Sequence, residues 1–184
     1  MRKLSCLLFL LMFTVQVKAQ KPEFVNQSDF GVLLGENTKG VFTVQNFSGF
    51  AFKKYKTELG VVVGFDNYQS IKIIPLAFAV KYNLNTLKKV TPYLMINTGY
   101  GFGFNKENGS SETYKGGFMF NPSVGLKFNN TGKIGYHFMV GYKTQKAVIT
   151  QINDNINRFS WFIPSLTTDN YLFRKIAVTM GVSF

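Results

Sequence analysis

From residue 58 to its C-terminus this chain keeps returning to one pattern. Every second residue is bulky and apolar, and the residues between are small or polar. The pattern is clearest over Gly117 to Phe128. There Phe118, Phe120, Pro122, Val124, Leu126 and Phe128 share one parity, and Met119, Asn121, Ser123, Gly125 and Lys127 share the other. Successive side chains of a strand point to opposite faces, whereas a helix repeats every three to four residues, so a period of two predicts strands. Ile134, Tyr136, Phe138, Val140 and Tyr142 alternate in the same way with Gly135, His137, Met139, Gly141 and Lys143. At the C-terminus Ile176, Val178, Met180, Val182 and Phe184 alternate with Lys175, Ala177, Thr179, Gly181 and Ser183. Three earlier segments, near Leu59–Phe65, Ile73–Tyr82 and Tyr93–Phe104, repeat it. Two more strands are expected near Asp29–Gly35 and Val41–Phe52, where the alternation is less regular. That makes eight.

The character of the two faces decides where they point. A water-soluble barrel or sandwich packs its large side chains inside and shows polar ones to solvent. Here the smaller face is rich in glycine and poor in charge, which suits a crowded interior better than a wet surface. Charged residues are only 16% of the chain, against roughly 25% in an average soluble domain. Aromatic residues are also 16%, with 20 Phe and 9 Tyr against one Trp. Large side chains facing outward would meet lipid. In lipid every backbone polar group must be paired within the protein, so strands span a membrane only as a closed barrel. The expected fold is therefore all-β: an eight-stranded antiparallel up-and-down transmembrane β-barrel. Eight strands of about ten residues match the smallest such barrels.

The N-terminus reads as an export leader. Arg2 and Lys3 precede an apolar stretch from Leu4 to about Val15, and Val17 and Ala19 suit a cleavage site after Ala19. The division expected is a signal peptide at 1–19 and a barrel domain at 20–184. Cys6, the only cysteine, lies inside the leader's apolar part and not at the cleavage point, which argues against lipidation. Formal charge is +12, and loss of Arg2, Lys3 and Lys18 with the leader leaves +9. The lysines are scattered over strand ends and turns, with no basic stripe interleaved with aromatics. They fit rims facing anionic headgroups or solvent, and nucleic acid is not an expected partner.

Connection lengths give an orientation. With the N-terminus in the periplasm, the periplasmic gaps fall near Lys53–Lys56, Asn83–Val90 and Asn129–Gly132, all short. The outward gaps include Asn105–Gly116 and Ala147–Asn170, the longest in the chain. Short inner turns and long outer loops are the habit of such barrels. Both termini are expected on the periplasmic side of an outer membrane.

These features together resemble the small outer-membrane β-barrel proteins of the eight-stranded OmpA/OmpX-like type. The strand pattern carries the resemblance. So do the strand openings Val90-Thr91-Pro92-Tyr93 and Gly116-Gly117-Phe118-Met119-Phe120-Asn121-Pro122, and the final strand ending in Phe184. It covers essentially the whole chain after the leader. The resemblance implies a Gram-negative cell-envelope protein, with Phe184 ending a signal read by the barrel-assembly machinery.

Parity assigns Phe118, Phe120, Val124, Leu126, Tyr136, Phe138, Val140, Val178 and Val182 to lipid. It assigns Glu58, Asn97, Asn121, Lys127, His137, Lys143 and Lys175 to the lumen. His137, the sole histidine, could act as a general base, as in a lipid-modifying barrel, but such a site should open to lipid or to the rim, and its parity fits a satisfied lumen histidine better. The lumen charges, with Lys81, could line a narrow pore or fill a plug. One carboxylate among several lysines leaves their partners unaccounted for. Arg158, Phe159, Trp161, Phe162 and Ile163 make loop 147–170 the place for an extracellular partner. Asn26-Gln27-Ser28 and Asn46-Phe47-Ser48 match glycosylation sequons but carry no weight in a bacterial barrel. No catalytic constellation, metal site or cofactor motif stands out. The expectation is a non-enzymatic membrane barrel with a structural or surface-interaction role. The alternatives are a lipid-modifying enzyme, a narrow pore, or a soluble lipocalin-type ligand-binding barrel.

Overall fold

The computed structural model describes residues 22–35, 38–68, 71–85, 89–104, 112–129, 134–153 and 165–184. The expected leader at 1–19 lies outside them. The strands are β1 (Glu23–Gly35), β2 (Thr38–Phe52), β3 (Thr57–Asn67), β4 (Lys72–Asn83), β5 (Val90–Phe104), β6 (Glu112–Lys115), β7 (Gly117–Asn129), β8 (Gly135–Asn153) and β9 (Ser165–Ser183). Each long strand pairs antiparallel with its neighbours, and β9 pairs with both β8 and β1, which closes the sheet.

The short β6 continues β7 along the edge of β8. Between the pairs Lys115↔Val148 and Met119↔Gln145 one chain advances four residues and the other three. One residue too many on one side is a bulge, which bends a strand without ending it. Gln145 satisfies carbonyls there, its amide donating to Gly117 O at 3.0 Å and Lys146 O at 2.7 Å. A β-carbon on Gly101 would collide with that same amide, so glycine makes the room it occupies. The wall is thus an eight-stranded closed antiparallel barrel, as the alternation predicts.

Strand ends differ from the sequence expectation. The first strand begins at Glu23, six residues before Asp29. Both described ends of the outer loop expected over 147–170 are strand, with Ala147–Asn153 paired to Ser165–Tyr171. Likewise 112–115 of the expected loop Asn105–Gly116 is β6. Arg158, Phe159, Trp161, Phe162 and Ile163 lie outside the described residues.

The chain ends meet at one end of the barrel. Asn26 N donates to Phe184 O, and Phe184 N to Asn26 O, each at 3.0 Å. At that end the β2–β3 connection is a single 3-10 turn, Lys53–Tyr55, closed by Lys56 at φ 53. The other end is uneven in height. β8 and β9 run 19 residues each against 11 for β3 and 12 for β4, and the excess stands at the end away from the termini.

Candidate functional site

The interior is a packed column, built from the parity that carries the small residues. Near the terminal end Lys81 is held from three sides. Its Nζ donates to Gln27 Oε1 at 2.9 Å, lies 3.3 Å from Glu58 Oε2, and stands 4.5 Å above the Tyr93 ring. Asn83 donates to Glu58 Oε1 at 2.7 Å, and Gln27 donates to Asp29 Oδ2 at 2.8 Å. Further in, Phe47, Val62, Ala77, Ala79, Tyr93, Met95, Met119 and Met139 form an apolar layer. A β-carbon on Gly125 would run into the Tyr93 ring, so that glycine admits the ring to the axis.

A second ion pair lies deeper. Asp66, fully buried, accepts from Lys143 Nζ at 2.5 Å and from Thr43 Oγ1 at 2.6 Å. Toward the far end Leu33, Val41, Tyr68, Ile71, Ile73, Ala147 and Ala177 form a second apolar layer, with Phe173 stacked on Tyr68 at 4.6 Å between centroids. Charges removed from water persist only when paired and hydrogen-bonded, and both interior pairs meet that condition.

The residues assigned to the lumen by parity sit as follows. Glu58, Asn97, Asn121, His137, Lys143 and Lys175 are buried, and Lys127 is half-buried near the terminal mouth. His137 packs edge-on to Tyr93 at 5.8 Å, buried inside the column toward its terminal end, where it pairs across the ladder with Lys127. Sequence reasoning missed two buried acids, Asp66, which pairs with Lys143, and Asp29, which Gln27 links to Lys81. Asp29 lies on a strand of irregular parity, and Asp66 lies one residue beyond the run read from alternation.

The residues assigned to lipid stand on the outside. Phe118, Phe120, Val124, Leu126, Tyr136 and Phe138 are exposed, and Val140, Val178 and Val182 are partly exposed on the same face. Phe184 is exposed at the terminal rim. Large apolar side chains outside and charges inside reverse the arrangement a lipocalin-type barrel requires.

Among the described residues, a polar cluster on β1 and β2 interrupts the apolar exterior. Asn26 and Asn46 donate to each other's side-chain oxygens, at 3.3 and 3.0 Å. Asn26 also donates to Ser48 Oγ at 2.7 Å and Asn46 to Ser28 Oγ at 2.9 Å, while the Ser48 hydroxyl donates to Asn46 Oδ1 at 2.9 Å. The two Asn-x-Ser triplets are therefore halves of one cross-strand network. This network explains why β1 and β2 alternate poorly in hydropathy.

Among the described residues no group of His, Cys, Asp and Glu is arranged to hold a metal. No family model matches the chain, and no match is found among curated proteins. Solved structures do match. Neisserial surface protein A (NspA) superposes with a TM-score of 0.60 at 16% identity, covering 89% of this chain and 98% of that one. The outer membrane protein OprG from Pseudomonas aeruginosa superposes with a TM-score of 0.56 at 13% identity, covering 88% of this chain and 95% of that one. At these identities the likeness is one of fold: this chain has the closed eight-stranded barrel that those outer-membrane proteins have.

Proposed function

We propose that the chain is an integral barrel of a Gram-negative outer membrane, with a structural or surface-interaction role and no enzymatic activity. One observation carries the reading: exposed large apolar side chains line the outer wall, while two ion pairs are sealed within it. In water that arrangement would expose far more apolar surface than soluble monomers tolerate. In a bilayer it is the lower-energy one. The shared fold of NspA and OprG supports the same reading.

In this reading Phe118, Phe120, Val124, Leu126, Tyr136, Phe138, Val140, Val178 and Val182 face lipid. The leader at 1–19 is removed on export, and Phe184 ends the strand that the assembly machinery reads. Both termini face the periplasm, because the taller β8–β9 hairpin then stands outside the cell. An extracellular partner would meet that hairpin. The position of His137 beside Tyr93, inside the column, speaks against lipid chemistry at this residue.

Expression in a Gram-negative host tests the proposal. The mature chain should be recovered in the outer-membrane fraction, and it should migrate faster on gels unheated than boiled. Recovery as a detergent-free periplasmic protein would overturn it.

A further inference from the structure

We propose that the outer wall formed by β6, β8 and β9 holds a phosphate-bearing lipid of the outer leaflet, its phosphate on Arg174 and Lys146 and an acyl chain in the groove below. The inference rests on the membrane reading above.

Three cations follow one another across this wall. Lys115 on β6 pairs with Val148 on β8, two residues from Lys146. Lys146 pairs with Leu172 on β9, two residues from Arg174. Such diagonal neighbours lie about 7–8 Å apart at the backbone, within reach of one ligand for side chains as long as these. All three are exposed, and among the described residues no ion pair joins any of them to a carboxylate. Exposed Lys53 at the opposite rim, by contrast, has its acid in Glu23 at 2.6 Å.

Their height on the wall matters as much as their number. Toward the terminal end from Arg174, the outward residues of β9 are Ile176, Val178 and Met180. Beyond it lie Leu172 and then Asn170 and Thr168. The cations thus sit at the upper edge of the apolar band, with only Leu172 and Val148 between them and the polar strand. A groove of about 700 Å³ opens there, lined by Leu34, Tyr142, Leu172, Arg174 and Ile176 among others. It joins two cationic side chains, Arg174 and Lys175, to apolar walls formed by Leu34, Tyr142, Leu172 and Ile176. That combination matches an amphiphile with an anionic head, whereas a free anion would leave the apolar walls unused. Arginine suits the head, since its planar fork meets a phosphate with two hydrogen bonds.

The full mature chain, folded into phosphatidylcholine nanodiscs doped with phosphatidic acid, provides the test. Native mass spectrometry would count the lipid retained on the protein. Wild type should retain phosphatidic acid in preference to phosphatidylcholine. Arg174→Gln and Lys146→Gln should each weaken the preference about fivefold, the scale of one basic residue at an anionic surface. Arg174→Lys should lose less than Arg174→Gln, and Lys53→Gln at the opposite rim should lose nothing. Equal retention by wild type and the double variant would overturn the proposal, as would equal losses from Lys53→Gln. Displacement of the lipid by inorganic phosphate alone would also overturn it, since the occupant would then be a free anion. Failure of wild type to insert into the nanodisc, seen as the absence of heat-modifiable migration, would instead sink the membrane reading itself.

Discussion

Asn26 and Asn46 face the side of the wall assigned to lipid, where an unpaired amide is costly. Their network resolves the conflict, because all four of their side-chain N–H groups are donated within it. Replacing one asparagine by leucine strands the other. Asn46→Leu or Asn26→Leu should each cost about 1–3 kcal/mol, the penalty for leaving a buried polar group without its partners. The double variant should cost much less than the sum. Denaturant titration of the barrel in vesicles measures the cycle, and additive losses would mean the amides are hydrated and the face is not in lipid. Val124 tests the same wall where no network can help. It is exposed on the apolar exterior, and Val124→Arg should cost about 2–4 kcal/mol, as for a cation at mid-bilayer. Normal stability in that variant would move Val124 out of the bilayer centre.

Among the elements, β7 shows how a closed wall accommodates proline. A closed barrel has no edge on which proline's missing N–H goes unnoticed. The β7–β8 ladder runs through Phe120↔Thr144, skips Asn121 and Pro122, and resumes at Ser123↔Gly141. Pro75 sits at a similar skip, between Val63↔Leu76 and Asp66↔Ile73 on β3–β4. Pro122→Val restores a donor. It should raise the unfolding free energy by about 0.5–1.5 kcal/mol and slow hydrogen exchange at Tyr142 and Lys143. Unchanged exchange would place the cause of the gap in the neighbours and not in the imino ring. The same strands show what the sequence makes legible. The eight-strand wall follows from alternation, because a wall with unlike faces must alternate. Strand ends do not follow. Beyond Lys143 both faces of β8 are mixed, so nothing in Thr144–Asn153 distinguishes a paired strand from a loop. The inward residues Glu58, Asn97 and Asn121 share the parity of the glycines. Asp29 escaped notice because outward Asn26 and Ser28 blur the contrast that parity depends on.

At the scale of the whole molecule, the stacking of the lumen decides whether ions can pass. From the terminal end the column runs through the Lys81–Glu58 layer, the apolar layer around Tyr93 and Met139, the Lys143–Asp66 pair, and the apolar layer around Ile73 and Leu33. An ion crossing it would have to shed its water twice in series, and each apolar layer is a barrier of the dewetting kind. Opening one layer leaves the other intact. The wild-type barrel in planar bilayers should therefore show no steady current, and neither Met139→Ala nor Ile73→Ala alone should create one. The double variant removes side chains from both layers and should give small, flickering conductance. Steady ohmic current through the wild type would mean that water already threads the column. The two ion pairs would then line a path rather than seal one, and their lysines would set its preference for anions.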